Sequence, residues 1–390
     1  MTTLLVIIYL AFISLGLPDS LLGSTWPAMR LDLNAPLSMA GVLSMLISGC
    51  TIISSLNSAR MIRKFKTSKI TLVSVFLTAA GLMGYSFAPS VIWLFILAIP
   101  LGLGAGAIDS GLNNFVALHY EARHMSWLHC FWGIGATVGP VIISYFLNDN
   151  NNWRSGYRTI SIIQFVLVIV MLVSQPMWKI AEGETVAVRV KEEKLITNRE
   201  ALKLRGAKWA VLTFFCYCSV EMTTGLWSST FLIENRGLSA ATAAAFVSLY
   251  YGGITVGRAF SGFLTMKFNG NTLILGGGMI SCLGVILYIL PLPVVFSAIA
   301  LVIIGIGFAP IFPNMLQETP VRFGKKASST MMGLQMGCAY IGSTFVPGIF
   351  GFLADKIGSF ILPGFLLVIT LLLIASSGRV ALVKYQEEDS

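Results

Sequence analysis

Charge is what this chain most lacks. Asp, Glu, Lys and Arg make up 11% of its 390 residues, against about 25% in a soluble globular domain. Hydrophobic residues make up 56%, and the mean hydropathy is +0.81. That balance excludes an ordinary water-soluble fold and implies a chain that crosses a membrane many times. Histidine is scarce, with three copies. The six cysteines (Cys50, Cys130, Cys216, Cys218, Cys282, Cys338) all lie within apolar runs, with no Cys-x-x-Cys pair and no histidine at ligand spacing. They read as small buried hydrophobes. No nucleophile–base or metal constellation appears, so no catalytic residue, metal or cofactor is expected and an enzyme is disfavoured. No basic leader or small-residue cleavage site precedes the first apolar run, which is expected to remain as a helix.

What the sequence has instead is long apolar runs. They fall at about residues 3–27, 37–57, 68–88, 91–118, 126–147 and 157–178, then 206–233, 240–264, 271–290, 294–316, 327–351 and 358–382. Each is near the roughly 20 residues that a helix needs to span a bilayer. Between the two sets of six, Lys179 to Arg205 is dense in charge (Glu182, Glu184, Arg189, Lys191, Glu192, Glu193, Lys194) and cannot enter hydrocarbon. The expected organisation is a six-helix bundle over 1–178, a cytoplasmic linker over 179–205, and a second bundle with a short tail over 206–390. The net charge of +9 reports topology rather than a polyanionic partner, because the basic residues sit in short segments between the runs. About 21 of the 26 fall on one side, which the positive-inside rule makes cytoplasmic, with both termini on it.

The halves echo each other. Gly133-Ile134-Gly135-Ala136-Thr137-Val138-Gly139-Pro140 in the fifth run has a counterpart in the eleventh, from Gly337 through Gly342 to Pro347-Gly348, and Gly102-Leu103-Gly104 in the fourth resembles Gly305-Ile306-Gly307 in the tenth. Any one of these alone reads equally as small-residue packing. At matched positions they argue for a duplicated bundle, the parallel-repeat plan in which a solute site lies at the midplane. Gly102-x-Gly104-x-Gly106 is no nucleotide loop, since it lies inside a membrane run rather than at a strand-to-helix turn.

Three acids sit deep in apolar runs: Asp19 in the first, Asp109 in the fourth and Glu221 in the seventh. A carboxylate at membrane depth is costly, about 2.5–3.5 kcal/mol on insertion scales, and usually serves transport. Satisfaction by a neighbouring helix for packing alone is the bland alternative. No basic residue is expected at comparable depth, Arg258 lying toward one end of its run and Arg30 toward the other end of its own. Burial disfavours a carboxylate's charged form, so such a group can load and release a proton as a cavity opens to either side. One charge crossing 100 mV is worth about 2.3 kcal/mol, enough for roughly 50-fold accumulation of a co-transported solute. Sodium is the rival coupling ion, and the sequence does not separate the two.

Around these acids lie uncharged hydrogen-bonding and aromatic groups: Asn113, Asn114, His129, Trp132, Gln164, Trp227, Tyr250, Tyr251, Asn314, Gln335 and Tyr340. Amides that donate and accept, beside aromatic faces, suit a neutral polyhydroxylated solute. His129 reads more readily as a packing residue than as a relay. Trp132 and Trp227 read equally as bundle core or interface belt.

These residues carry a resemblance. Leu17-Pro18-Asp19-Ser20-Leu21-Leu22-Gly23 and Gly104-Ala105-Gly106-Ala107-Ile108-Asp109-Ser110 resemble the fucose:proton symporter branch of the major facilitator superfamily, particularly its glucose/mannose transporters. The likeness continues in Tyr217-Cys218-Ser219-Val220-Glu221, Gly225-Leu226-Trp227 and Gly252-Gly253-Ile254-Thr255-Val256-Gly257-Arg258. The resemblance implies that Asp19 and Asp109 are the proton-coupling and sugar-sensing pair. The chain departs from the branch in having Asp109 where Glu is common, and Asn57-Ser58-Ala59-Arg60 in place of the superfamily's loop signature.

The expectation is an all-α membrane protein of the major facilitator fold, with 12 transmembrane helices in two pseudo-symmetric six-helix bundles. It would import a hexose-like sugar by proton symport through alternating access, from the plasma (inner) membrane, as a monomer with a small-molecule partner, a coupling proton or sodium, the lipid bilayer and no nucleic acid. Asp19 and Asp109 would carry coupling; Asn113, Asn114, His129, Trp132, Gln164, Glu221, Trp227, Tyr251, Asn314 and Gln335 would hold solute. The alternative is a proton-coupled exporter (antiporter) of amphipathic compounds or sugars, supported by Gly135-x-x-x-Gly139-Pro140, although Val141-Ile142-Ile143 stands where that signature needs a further glycine pair.

Overall fold

A backbone in hydrocarbon must satisfy every N–H and C=O internally, so long apolar runs become helices. The computed structural model describes residues 2–120, 122–148, 152–178 and 196–383, and they are helical almost throughout. The helices are α1 (Thr2–Asp19), α2 (Leu21–Asp32), α3 (Met39–Phe65), α4 (Thr67–Ser86), α5 (Val91–His119), α6 (Ala122–Asn148) and α7 (Trp153–Val173). They continue with α8 (Asn198–Ala201), α9 (Ala207–Arg236), α10 (Ala240–Leu264), α11 (Gly270–Ile289), α12 (Val295–Phe308), α13 (Ile311–Ile357) and α14 (Leu362–Ala381).

Eleven helical spans among the described residues are long and apolar enough to cross a membrane. The remaining run, the seventh, forms α9, whose 30 residues extend about 45 Å at 1.5 Å per residue. It is less apolar because it carries Glu221 and a series of buried hydroxyls, Thr223, Thr224, Ser228, Ser229 and Thr230. Two runs are divided. The first is α1 followed by α2, broken at Ser20. The tenth is α12 followed, past Ala309 and Pro310, by the first part of α13. The second part of α13 is the eleventh run. The two parts meet at Gly324, whose φ of 74° is left-handed backbone that glycine adopts without steric cost.

The described residues form two compact units. The first takes in the described residues within 2–178, 225–252 and 347–360; the second takes in those within 196–224, 253–346 and 361–383, so the division passes through α9, α10 and α13. In the first unit α5 packs between α3 and α4, α4 also packs on α7, and α1 lies along α6. The α1–α6 seam is built from glycine. A side chain at Gly16 would collide with the Trp132 carbonyl, and one at Gly135 with that of Ile13, so the two backbones touch directly. A core of Ile8, Phe12, Leu15, Ile108, Leu112, Phe115 and Met171 fills the space behind the seam. In the second unit α11 packs on both α12 and α14.

Of the expected linker, 179–195 lies outside the described residues. Its last turn is structured. Thr197 and Glu200 cap α8 reciprocally, the Thr197 hydroxyl accepting from Glu200 N while Glu200 accepts from Thr197 N. These bonds hold the exposed Glu200 carboxyl below its usual range. Ala201 is buried with Ala207 and Met331, and Thr330 donates to the Ile196 carbonyl at 3.0 Å.

Candidate functional site

Pro18 explains the local geometry around Asp19. Proline has no N–H, so the Ser14 carbonyl four residues earlier loses its helical partner. Gln164 of α7 takes that place, donating to Ser14 O at 2.8 Å while fully buried. One residue past the proline α1 ends, and Asp19 stands exposed in the middle of a 30-residue apolar span. Its Oδ2 accepts from the Trp132 indole at 2.8 Å. A charge exposed at that depth is tolerated only against water or a polar solute.

Asp109 is partly buried on α5. Asn113, one turn later, donates to both its backbone carbonyl and its Oδ1 at 2.9 Å. The amide oxygen of Asn113 is buried without a hydrogen-bond partner, as is the Gln164 Oε1. The side chain of Asn114 lies outside the described ones. His129 meets Phe12 edge-on at 6.1 Å between ring centroids. Trp227 donates to the Pro347 carbonyl at 2.9 Å and packs on Phe350, and the buried Tyr251 packs its hydroxyl against Gly225. The first unit therefore joins Asp19 to Trp132 and Asp109 to Asn113, and fixes Gln164 to α1.

In the second unit, Glu221 is not without a basic neighbour, contrary to the sequence expectation. Arg258 reaches it, with NH2 to Oε1 at 3.2 Å, and also approaches the Tyr217 hydroxyl at 3.4 Å. Position along the run misled here, because arginine's long stem lets the guanidinium sit well away from its own Cα. The pairing of Tyr217 and Glu221 one turn apart was the signal available. Asn314 and Gln335 are buried with partners of their own. Asn314 donates to the Pro310 carbonyl at 2.6 Å, and Gln335 accepts from Thr319 at 2.9 Å. Gln335 lines a narrow crevice with Thr213, Asn271, Thr319 and Arg322, and Arg322 there donates to Asn271. Tyr340 is half-buried and Tyr250 fully buried.

Gly135 and Gly139 bear on the Ile13 and Leu17 carbonyls of α1. The motif that supported the export alternative thus has a structural use in helix packing.

Comparison with known proteins agrees with this architecture. The chain is 23% identical over 398 residues to Bypass of stop codon protein 6 of Saccharomyces cerevisiae (89% of this chain, 76% of that one). It is 22% identical over 340 residues to the glucose/mannose transporter GlcP of Bacillus subtilis (84% and 82%). It is 21% identical over 398 residues to the sodium-dependent glucose transporter 1A of Mus musculus (88% and 88%). Among solved structures, the nucleoside transporter NupG superposes with a TM-score of 0.78 at 11% identity, covering 96% of this chain and 98% of the other, which shows the fold. The Major Facilitator Superfamily profile matches residues 8–347, and with eleven spans among the described residues long and apolar enough to cross a membrane, the chain belongs to the Major Facilitator Superfamily and is a membrane transporter.

Proposed function

We propose that this transporter carries a neutral hexose-like sugar inward by proton symport. The observation that carries the reading is Asp19 with Trp132: a carboxylate exposed in mid-span and an indole bonded to it. A carboxylate that accepts hydroxyl hydrogens beside an aromatic face is the chemistry that grips a sugar. The names of the relatives in Bacillus subtilis and Mus musculus, both glucose transporters, support the same substrate class.

Asp109 is the proposed coupling acid. The mouse relative's name makes sodium the competing ion. Two features favour the proton. Asn113 turns its N–H toward Asp109, with its oxygen away from it, whereas a cation would need that oxygen as a ligand. Asp109 is also one carboxylate with one amide, a set suited to gaining and losing a single proton.

The proposed motion is alternating access between repeats 1–178 and 206–390 joined by the 179–205 linker, with both termini cytoplasmic in the plasma (inner) membrane and the monomer as the working unit. On that orientation the outer end of the first unit is latched. Arg30 pairs with Glu234 at 2.6 Å, Ser359 donates to Glu234 at 2.5 Å, Asn235 donates to Ser359 at 2.7 Å, and Ser38 N donates to Asp355 at 3.1 Å. These bonds join the first repeat to the outer ends of α9 and α13, and support a conformer closed to the outside.

The test is reconstitution in liposomes with an internal pH dye, adding hexoses one at a time without sodium. Inward acidification that depends on the sugar supports proton symport. Uptake only with sodium would replace the ion, and proton efflux on adding lipophilic cations with no response to sugars would replace the reading with export.

A further inference from the structure

Glu221 and Arg258 form an ion pair that the coupling scheme does not use. They stand well inside α9 and α10, 3.2 Å apart, with side chains 13% and 12% exposed. The packing of both helices aims them at each other. On α9, Phe215 and Ser219 lie against Gly342 of α13, where a side chain on the glycine would meet the Phe215 carbonyl. Tyr217 and Glu221 occupy the opposite face, because residues two apart on a helix differ by about 200°. On α10, Gly257 lies against Ile306 and Ala309, which fixes the rotation that turns Arg258 toward α9. Tyr217, fully buried, adds its hydroxyl beside the guanidinium.

On the transport reading above, the remaining exposure of Glu221 and Arg258 faces the solute path. A charged group facing hydrocarbon is costly and is kept only beside a partner or a watery cavity. Either charge alone in such a place would be felt by a solute, since low dielectric lengthens its reach. Together they present no net charge.

We propose that Glu221 is a specificity-setting residue that acts by masking Arg258, so that the path admits uncharged sugars and an unmasked Arg258 selects anionic ones. This rests on the neutral-sugar reading above for its substrate, but not for the pairing. Glu221 on this view is neither a sugar ligand nor the coupling acid. Its removal differs from that of a ligand, because loss of both partners restores the neutrality that loss of one destroys.

The experiment compares wild type, Glu221→Gln, Arg258→Gln and the double variant in liposomes, with glucose uptake and its inhibition by glucuronate as readouts and Tm in detergent as a third. Each single variant is expected to lose glucose uptake by roughly tenfold or more, because one buried charge remains without the opposite charge that offsets it. The double variant is expected to recover to within about threefold of wild type, the sign of a coupled pair. Glu221→Gln alone is expected to become sensitive to glucuronate. A double variant no better than the singles, or a Glu221→Gln protein with unchanged preference for glucose over glucuronate, overturns the proposal. Should Glu221→Gln fail to fold, Arg258→Gln against the double variant decides it by the same recovery. Should wild type itself take up no hexose, the sugar reading fails; Tm then still judges the pairing, with recovery in the double variant for it and no recovery against it.

Discussion

The Trp132 indole donates to Asp19 across 113 residues of sequence, from the middle of α6 to the last residue of α1. Hydrogen bonds to a charged group are worth about 1.5–3 kcal/mol by mutation. Trp132→Phe keeps the ring and removes the N–H. It should raise the KM for sugar by about tenfold or more, since each 1.4 kcal/mol is a factor of ten, with folding intact. Uptake kinetics check it; an unchanged KM would make Trp132 a packing residue.

Asp109→Asn should abolish sugar accumulation driven by a pH gradient while sugar exchange between the two sides of the membrane continues. The amide cannot cycle a proton but preserves the size of the group and its bond with Asn113. Counterflow and gradient-driven uptake on the same vesicles separate the two activities. Full accumulation by the variant would remove Asp109 from coupling.

The latch between Arg30 and Glu234 is partly solvated, with side chains 26% and 32% exposed. A pair of that kind contributes about 0.2–1 kcal/mol. Arg30→Ala should therefore shift the closed-outside population by roughly one- to fivefold rather than lock the carrier open. Labelling of a cysteine placed at an outer position reports that population. The charge-swapped pair Arg30→Glu with Glu234→Arg should return it toward the starting value.

Gly135→Val should fail to pack, because a branched side chain there meets the Ile13 carbonyl, while Gly337→Ala should be neutral, since nothing lies within 4 Å of the added carbon. Overpacking of this kind typically costs 1–3 kcal/mol. Monodisperse yield and Tm of the two variants check the contrast.

Acid should loosen the end of the linker. Glu200 is held below its usual range by the Thr197 N–H and hydroxyl, so its contribution is present at neutral pH and is lost as pH falls through that lowered value. Amide protection factors at residues 197–201, with the intrinsic pH dependence of exchange divided out, should fall on going from about pH 7 to about pH 3, and in Glu200→Gln that fall should disappear.

The membrane-crossing pattern was legible in the apolar runs because hydrocarbon leaves a spanning backbone little choice. Polar depth was legible as well: Asp19, Asp109 and Glu221 stood out as carboxylates with no nearby charge in sequence. Their partners were only partly so. Asn113 follows Asp109 by one helical turn and could be placed beside it, whereas Arg258 meets Glu221 through a tertiary contact that position along the run does not reveal. Nor did any pattern show that Pro18 would free a carbonyl for Gln164, since that depends on which helix lies next to α1.

The glycine seam between α1 and α6 has a mechanical consequence. Where Gly16 and Gly135 let two backbones touch, no side chains lie between them to reorient, and nothing is there for one helix to slide over. Asp19 and Trp132 are borne on opposite sides of that seam, and so travel as parts of one stiff strut. On the proposed alternating access, the stroke would be taken up in other joints, and the proposed grip on the solute need not slacken while it happens.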